Sequence, residues 1–518
     1  MALLMKILKI AGIALAVILG IFLIIISLMF FFPNFKIFGT RFVKSNKEES
    51  QPIVYTLTEG EVYNIVANTQ TFDIEIIENR DSSDMSLTYV DGKWGFANVP
   101  ASNLTIKDNG NTIEARMLET SGWMFGTGTL KISLPINANI NLNINTNSGD
   151  IHINNGKLKS LAINMTDGDL VWKAEQEKVE ETPTPASDTN EDSTAEDNTT
   201  ETPAPEMIPL SNLTIEAISI FSKKANIDLS CFDTLTVNNK FLINANKLKL
   251  ELQSLNANTH INCPNLELNI ANLTDTNELL IFSKSGSIKI DTLQCLDKAT
   301  IITKSATISI KNIDCLTYLS TETGNISVTN VNNNTTLNTN SGNVNITKGN
   351  EDINITTTSG SITVNEYYNS ADITTKTGNI TINNMGTESS GRDTKIVQDS
   401  GNITFVTLAN EMRIRSNNGS NIRGTFRQMC LNENIQHYIN NINGESTLYI
   451  MMDQHPFRVR ATGEVDGELG NIVNMTATSE YIMYTPDNDH NTYSDVASIN
   501  VEGGKIHFAG IYEEPLNN

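Results

Sequence analysis

From Thr323 to Asn421 apolar and polar positions follow a pattern that returns at a fixed interval. The phrases T-G-N-I-S-V at Gly324, S-G-N-V-N-I at Gly342, S-G-S-I-T-V at Gly360 and T-G-N-I-T-I at Gly378 step by 18 residues. S-G-N-I-T-F at Gly401 follows 23 residues later, and a weaker copy stands at Gly419, 18 further on. Counted from each Gly, apolar residues fall at +2 and +4: Ile326 and Val328, Val344 and Ile346, Ile362 and Val364, Ile380 and Ile382, Ile403 and Phe405. A second pair falls 7 and 5 positions before the next Gly: Thr335 and Leu337, Ile353 and Ile355, Ala371 and Ile373, Thr394 and Ile396, Met412 and Ile414. A spacing of two places both members of a pair on one face of a strand, so each repeat predicts two short strands and excludes helix.

A chain that returns to the same columns every 18 residues, with β-branched side chains in each column, predicts an all-β parallel β-solenoid with two main strands per coil. Neighbouring coils are expected about 4.8 Å apart, bonded along their strands. No coil buries enough apolar surface to stand alone. Gly ahead of the first strand suits a sharp turn, because it tolerates positive φ. Asn325, Asn343, Asn379 and Asn402 are expected to form a ladder of amides. A left-handed hexapeptide helix needs an aliphatic residue every six positions, which this spacing does not supply, and the G-G-x-G-x-D turns of a calcium β-roll are absent. An ion-independent solenoid remains, its right hand expected from general chirality.

Along the chain, residues 1–9 form a short tail, 10–32 an apolar helix and 33–52 a juxtamembrane segment. Residues 53–127 read as a β capping module, with strands at Tyr63 to Val66, Phe72 to Ile77, Met85 to Tyr89 and Leu104 to Lys107. The first coils occupy 128–173, with phrases at Gly128, Gly149 and Gly168. Residues 174–208 are acidic, rich in Thr and Pro and free of aromatics, the composition of a disordered loop. Repeat strands resume behind it, so it reads as a loop emitted from one solenoid rather than a spacer. The main solenoid takes 209–429; within it the columns continue without Gly at Leu248 and Leu250, Leu266 and Leu268, and Ile308 and Ile310. The five extra residues before Gly401 are expected to bulge between Gly386 and Asp393. Residues 430–518 form a C-terminal β cap closed by the pairs Ile499 and Val501, and Ile506 and Phe508.

Ile10 to Phe32 is almost wholly apolar and long enough to cross a bilayer as one helix. It exceeds a secretory h-region and lacks a small-residue cleavage site, so a retained signal-anchor is expected. Lys6 and Lys9 precede it, whereas Lys36, Arg41, Lys44 and Lys47 follow. A literal positive-inside count favours a cytoplasmic domain, but that rule is weakest before a long domain. The favoured placement is a single-pass cell-membrane protein with its large C-terminal domain outside. A net charge of −23 and a pI near 4.7 argue against nucleic acid as a partner. Five Cys (Cys231, Cys263, Cys295, Cys315, Cys430) form no C-x-x-C pair, so zinc and thioredoxin-like readings lapse. Cys295 and Cys315 are expected as stacked neighbours in adjacent coils, either as plain buried thiols or as a disulfide.

The order of parts carries a resemblance. T-F-D-I-E-I-I, then G-T-L-K-I-S-L-P at Gly128, N-T-N-S-G-D-I-H-I, T-D-G-D-L and the serial S-G-N-I-T-I phrases resemble the bacterial putative-adhesin domain of unknown function, over Val54 to Phe508 apart from the acidic loop. The resemblance implies a cell-envelope β-solenoid and brings no catalytic residues with it.

Carbohydrate-active β-helices need clustered carboxylates on one face. Asp352, Asp372 and Asp393 lie near repeated turns, but only Asp352 and Asp393 share a column, two coils apart. The six His (His152, His260, His437, His455, His490, His507) share no motif. Thr339, Thr357 and Thr375 read as a hydrogen-bonded ladder inside the stack, with a ligand-facing hydroxyl array as the alternative. No catalytic, cofactor or metal site is expected, and the chain is not expected to be an enzyme. The expected role is a membrane-anchored, surface-exposed adhesin or envelope element whose partners are the membrane, through the N-terminal helix, and cell-surface glycans or proteins. The alternatives are a cytoplasmic scaffold polymerising through its β-helix ends and a polysaccharide-active enzyme.

Overall fold

The structure, a computed structural model, describes residues 2–31, 41–43, 48–80, 82–97, 102–119, 122–136, 138–154, 158–173, 175–177, 207–209, 212–275, 277–386, 392–407, 410–427, 435–451, 456–467, 475–477, 482–484 and 496–511. The chain divides into two compact units, Met1–Phe232 and Asp233–Asn518. Among the described residues the one helix is Ala2–Phe31, and all other regular structure is strand. The helix's apolar side chains from Ile13 to Ile24 are exposed. The expected span from Ile10 to Phe32 lies partly outside the described side chains, which cover 12–24 and 27–28 of it. Among the described residues no helix is long and apolar enough to cross a membrane.

The first unit is a stack of coils built from two parallel sheets. One sheet runs through Thr112–Leu118, Val62–Asn68, Asn139–Ser148, Leu158–Asp167 and Asn212–Ser222, all parallel. The other runs through Thr129–Pro135, Asp73–Asn79, Ile151–Asn154, Asp169–Lys173 and Asn226–Asp228, also parallel. Antiparallel strands finish the lower edge of each: Asn103–Asp108 on the first, Asp84–Val90 followed by Ile53–Thr56 on the second. The capping module is therefore not wholly outside the stack. Its strands Val62–Asn68 and Asp73–Asn79 form a coil that later residues enclose on both sides, with Ile74 opposite both Leu130 and Ile151. Alternation alone cannot reveal this, because it says which face is buried and not which strand lies alongside. A separate antiparallel sheet joins Arg41–Val43, Trp94–Ala97 and Gly122–Phe125.

The acidic segment interrupts sequence but not pairing. Leu161 lies opposite Ile218 and Leu170 opposite Ile227, so strands on either side of it are direct neighbours in one stack. Glu175–Glu177 pairs antiparallel with Met207–Pro209 at its base. Residues 178–206 lie outside the described residues.

The second unit realises the predicted columns. Ile261, Ile281, Ile301, Leu319, Leu337, Ile355, Ile373, Ile396, Ile414 and Ile439 succeed one another in register. On the opposite sheet Leu268, Ile288, Ile308, Ile326, Val344, Ile362, Ile380, Ile403 and Ile422 do the same. Two details differ from expectation. Leu266 lies opposite Gly286, so the apolar pair of that coil is Leu268 and Ile270; without a Gly to mark phase, a period of two leaves the choice open by one step. The final strand Ala497–Ile511 is not the terminal cap: it inserts between Gln436–Met451 and Phe457–Gly467, parallel to both. Outermost is Phe457–Gly467 with the antiparallel strands Ile482–Tyr484 and Met475–Ala477. Of the expected bulge, 387–391 lie outside the described residues; pairing resumes with Ala371 opposite Thr394.

The repeat glycines divide in cause: Gly168, Gly286, Gly401 and Gly419 take the expected positive φ, whereas four others do not. Gly324, Gly342, Gly360 and Gly378 are not among the positive-φ residues. A Cβ at Gly342 would lie 1.7 Å from the Gly324 carbonyl oxygen, and one at Gly360 1.8 Å from that of Gly342. Glycine is needed there because each coil's turn rests directly on the turn below. Elsewhere glycine makes room for a neighbour's ring: a Cβ on Gly349 would lie 2.2 Å from the Tyr367 ring, and one on Gly424 2.2 Å from Phe405. Packing at constant interior volume explains these large-and-small couples.

Candidate functional site

The second strand of each coil has inward residues in the apolar columns, so its alternate residues make an outward face. Reading that face coil by coil, Thr300, Tyr318, Thr336, Asn354, Asp372, Lys395, Arg413 and Tyr438 stand in one column. Beside it run Ser320, Asn338, Thr356, Thr374, Val397, Arg415 and Asn440. The face carries hydroxyls and amides in its lower coils and charges of both signs in its upper ones.

An open groove of about 460 Å³ lies on this face, lined among others by Asp352, Asp372, Asp393, Lys395 and Arg413. The three carboxylates singled out from sequence are thus brought to one groove, although not to one column. Asp352 precedes Ile353 and Asp393 precedes Thr394, which places them in one column two coils apart. Asp372 stands one column over, opposite Lys395. Each carboxylate has a partner. Asp352 accepts the N–H of Ser370 at 3.3 Å, Lys395 Nζ lies 3.5 Å from Asp372, and Arg413 lies 3.9 Å from Asp393 and 2.7 Å from Glu411. The Glu411 hydrogen bond, with Asp393 nearby, raises the Arg413 pKa above its ordinary value. The Lys395 and Arg413 contacts are exposed ion pairs, each of small energetic weight, and none isolates a carboxylate as a catalytic acid. Lys395 and Arg413 were not singled out by the sequence reading; the position six before each repeat Gly marks them.

The other candidates fall elsewhere. Thr339, Thr357 and Thr375 are buried, and the Thr357 and Thr375 hydroxyls lie 2.7 Å apart. Thr339 Oγ1 accepts the N–H of Gly342 at 3.0 Å and Thr375 that of Gly378 at 3.2 Å, so the column is an internal ladder that ties off the turns. The Asn ladder is also present, in side-chain-to-backbone form: Asn325 Oδ1 accepts the Asn343 N–H at 2.9 Å, and Asn343 Oδ1 that of Ser361 at 3.0 Å.

His152 is exposed, His260 lies 6.2 Å from the Phe282 ring, and His507 meets Asp466 at 2.7 Å. His437 is fully buried, accepts the Met412 N–H at 3.2 Å and packs edge-on to Phe426, a structural role. His455, His490 and Cys430 lie outside the described residues. Among the described residues no group of three or more His, Cys, Asp or Glu side chains could hold a metal ion.

The geometry defines a parallel β-solenoid with an outward polar face. A match to the family model described as Toastrack DUF4097 covers residues 29–190. It includes the phrases at Gly128, Gly149 and Gly168 on which the resemblance partly rests; the later repeats lie beyond it. No curated protein matches the chain. A solved structure described as a putative adhesin from Parabacteroides merdae ATCC 43184 is similar at 12% identity, over 73% of this chain and 98% of that one, with a TM-score of 0.15. At that score the likeness carries no argument.

Proposed function

We propose that this protein is a surface-displayed, membrane-anchored β-solenoid that binds an extended cell-surface glycan along the outward face of its second strands. The observation that carries the reading is the Asp352–Arg413 groove, where carboxylates, amides, hydroxyls and two cations recur from coil to coil along a face with Tyr318 and Tyr438 in its central column. Sugar hydroxyls bond to such groups and sugar faces rest on exposed aromatic rings; Tyr438 is 44% exposed. The ion pairs of Asp372 and Asp393 and the backbone hydrogen bond to Asp352 support binding over catalysis. Anchoring is supported by the apolar stretch Ile10 to Phe32. The antiparallel strands at the outer edge of each unit support a finished stack over a scaffold polymerising end to end.

Two measurements test the two halves of the proposal. Purified full-length chain on a glycan array should give signals that Asp372→Ala and Arg413→Ala each weaken about tenfold, a loss of roughly 1.4 kcal/mol. An array with no signal overturns the glycan reading. Protease added to intact cells should cut within the acidic segment and leave a membrane-held N-terminal fragment. Cleavage only after lysis overturns surface display.

A further inference from the structure

Three groups of unusual chemistry share one corner column of the second unit. Asp275 lies opposite Cys295 at the end of a paired strand, and Leu293 lies opposite Ile313, which carries Cys295 alongside Cys315 in the next coil. Asp314 N–H bonds to the Leu293 carbonyl at 3.0 Å, holding the two chains in register up to the cysteines. Cys315 is buried at 2% exposure and its Sγ lies 3.8 Å from the Leu293 carbonyl. Cys295 is half-buried. The interaction between the two thiols draws Cys315 below its ordinary pKa while Cys295 is held above it.

We propose that Cys295 and Cys315 are a covalent cross-link site, forming a disulfide that staples two adjacent coils. Register supports the geometry: neighbouring strands of a parallel sheet are about 4.8 Å apart, inside the roughly 4.4–6.8 Å between Cα atoms that a disulfide spans. Both side chains share the same inward parity at the corner, so their sulfurs meet without a change of strand register. Cys231 and Cys263 are not placed for such a link: Cys263 lies opposite Ser283, and Cys231 Sγ donates to the Trp172 carbonyl oxygen.

The oxidant is a low-molecular-weight disulfide, RSSR. The pair gives one proton to solvent, and the resulting thiolate attacks RSSR, forming a mixed disulfide and releasing RS⁻. The other cysteine then loses its proton and displaces the second RS⁻ from the mixed disulfide. Two thiols and RSSR become one protein disulfide and two RSH. The staple closes a loop of 20 residues, so that an anchored chain pulled at its ligand face cannot pay out that coil.

Full-length protein purified under reducing conditions is incubated folded with oxidised glutathione, digested without reduction and mapped by mass spectrometry. The expected product is a Cys295–Cys315-linked peptide pair that disappears on reduction. In single-molecule pulling, the oxidised chain should fall short of the reduced one by about 70 Å of contour length, the reach of the closed loop. Cys315→Ser should stop at a glutathione adduct on Cys295. Recovery of both cysteines as free or singly modified thiols, a link to any other cysteine, or a link formed only after unfolding would overturn the proposal.

Discussion

Glu119 shows how a single side chain sets a corner of the first unit. Its carboxylate accepts the Thr71 N–H at 2.9 Å, the Thr71 hydroxyl at 2.6 Å and the Lys93 ammonium at 2.6 Å, and it also takes the Gln70 N–H. Lys93 in turn stands 4.5 Å from the Phe72 ring. Both charged side chains are at most 5% exposed. Burial works against the charged carboxylate, but the Lys93, Thr71 and Gln70 hydrogen bonds outweigh it and hold the pKa below the ordinary 4.5. A depressed folded value makes the contribution fully present above that ordinary value and lost as pH falls through the folded one. Glu119→Gln leaves a buried ammonium without its counter-charge and should cost about 3–5 kcal/mol at neutral pH. In urea unfolding followed from about pH 7 down to pH 3, the wild-type advantage should shrink toward the acid end. A gap of constant size across that range would refute the assignment. Lys93→Met combined with Glu119→Leu should recover most of the loss, since an apolar pair removes both desolvation costs.

At the scale of the element, the turn between coils was legible in its residue and not in its reason. The Gly of each phrase is plain in sequence, and so is the strand that follows, because Ile326, Val344, Ile362 and Ile380 repeat at constant distance. What a single sequence does not display is the turn of the coil beneath, whose carbonyl occupies the space a Cβ would need. The two explanations predict different variants. A positive-φ requirement would make Asn the best replacement, since it tolerates that region better than Ala. Close approach makes both unacceptable: Gly342→Ala and Gly342→Asn should each destabilise the second unit by about 1–3 kcal/mol through overpacking. Equilibrium unfolding in which Asn restores wild-type stability while Ala does not would return the argument to backbone conformation. The outward face was half legible for a similar reason. Alternation marks Asp372 and Lys395 as outward, but their meeting across a 23-residue step depends on where the insertion before Gly401 is absorbed.

At the scale of the whole molecule, chain order and stacking order part company within each unit, and alternation does not reveal it because each strand there carries an ordinary alternating pattern. In the first unit Asp73–Asn79 is held between strands that come 56 and 77 positions later, as Asp73 pairs with Thr129 and Ile74 with Ile151. In the second, Ala497–Ile511 is held between two earlier strands. Strands bonded along both edges cannot peel away as an outer coil can, so each unit is fastened by a segment that must be drawn out of the interior of a sheet. The acidic segment follows the same logic, since its two flanks are neighbours in one stack rather than parts of separate bodies. Replacing residues 186–195 with a site for a sequence-specific protease and cutting there breaks one peptide bond and none of the pairing between Leu158–Asp167 and Asn212–Ser222. The nicked protein should run as two bands on a denaturing gel and as one undivided peak on native size-exclusion, because loop cleavage leaves the buried strand contacts intact. Fragments that part without denaturant would show that the segment joins independent pieces, and the pairing of Leu161 with Ile218 and of Leu170 with Ile227 would then have to be abandoned.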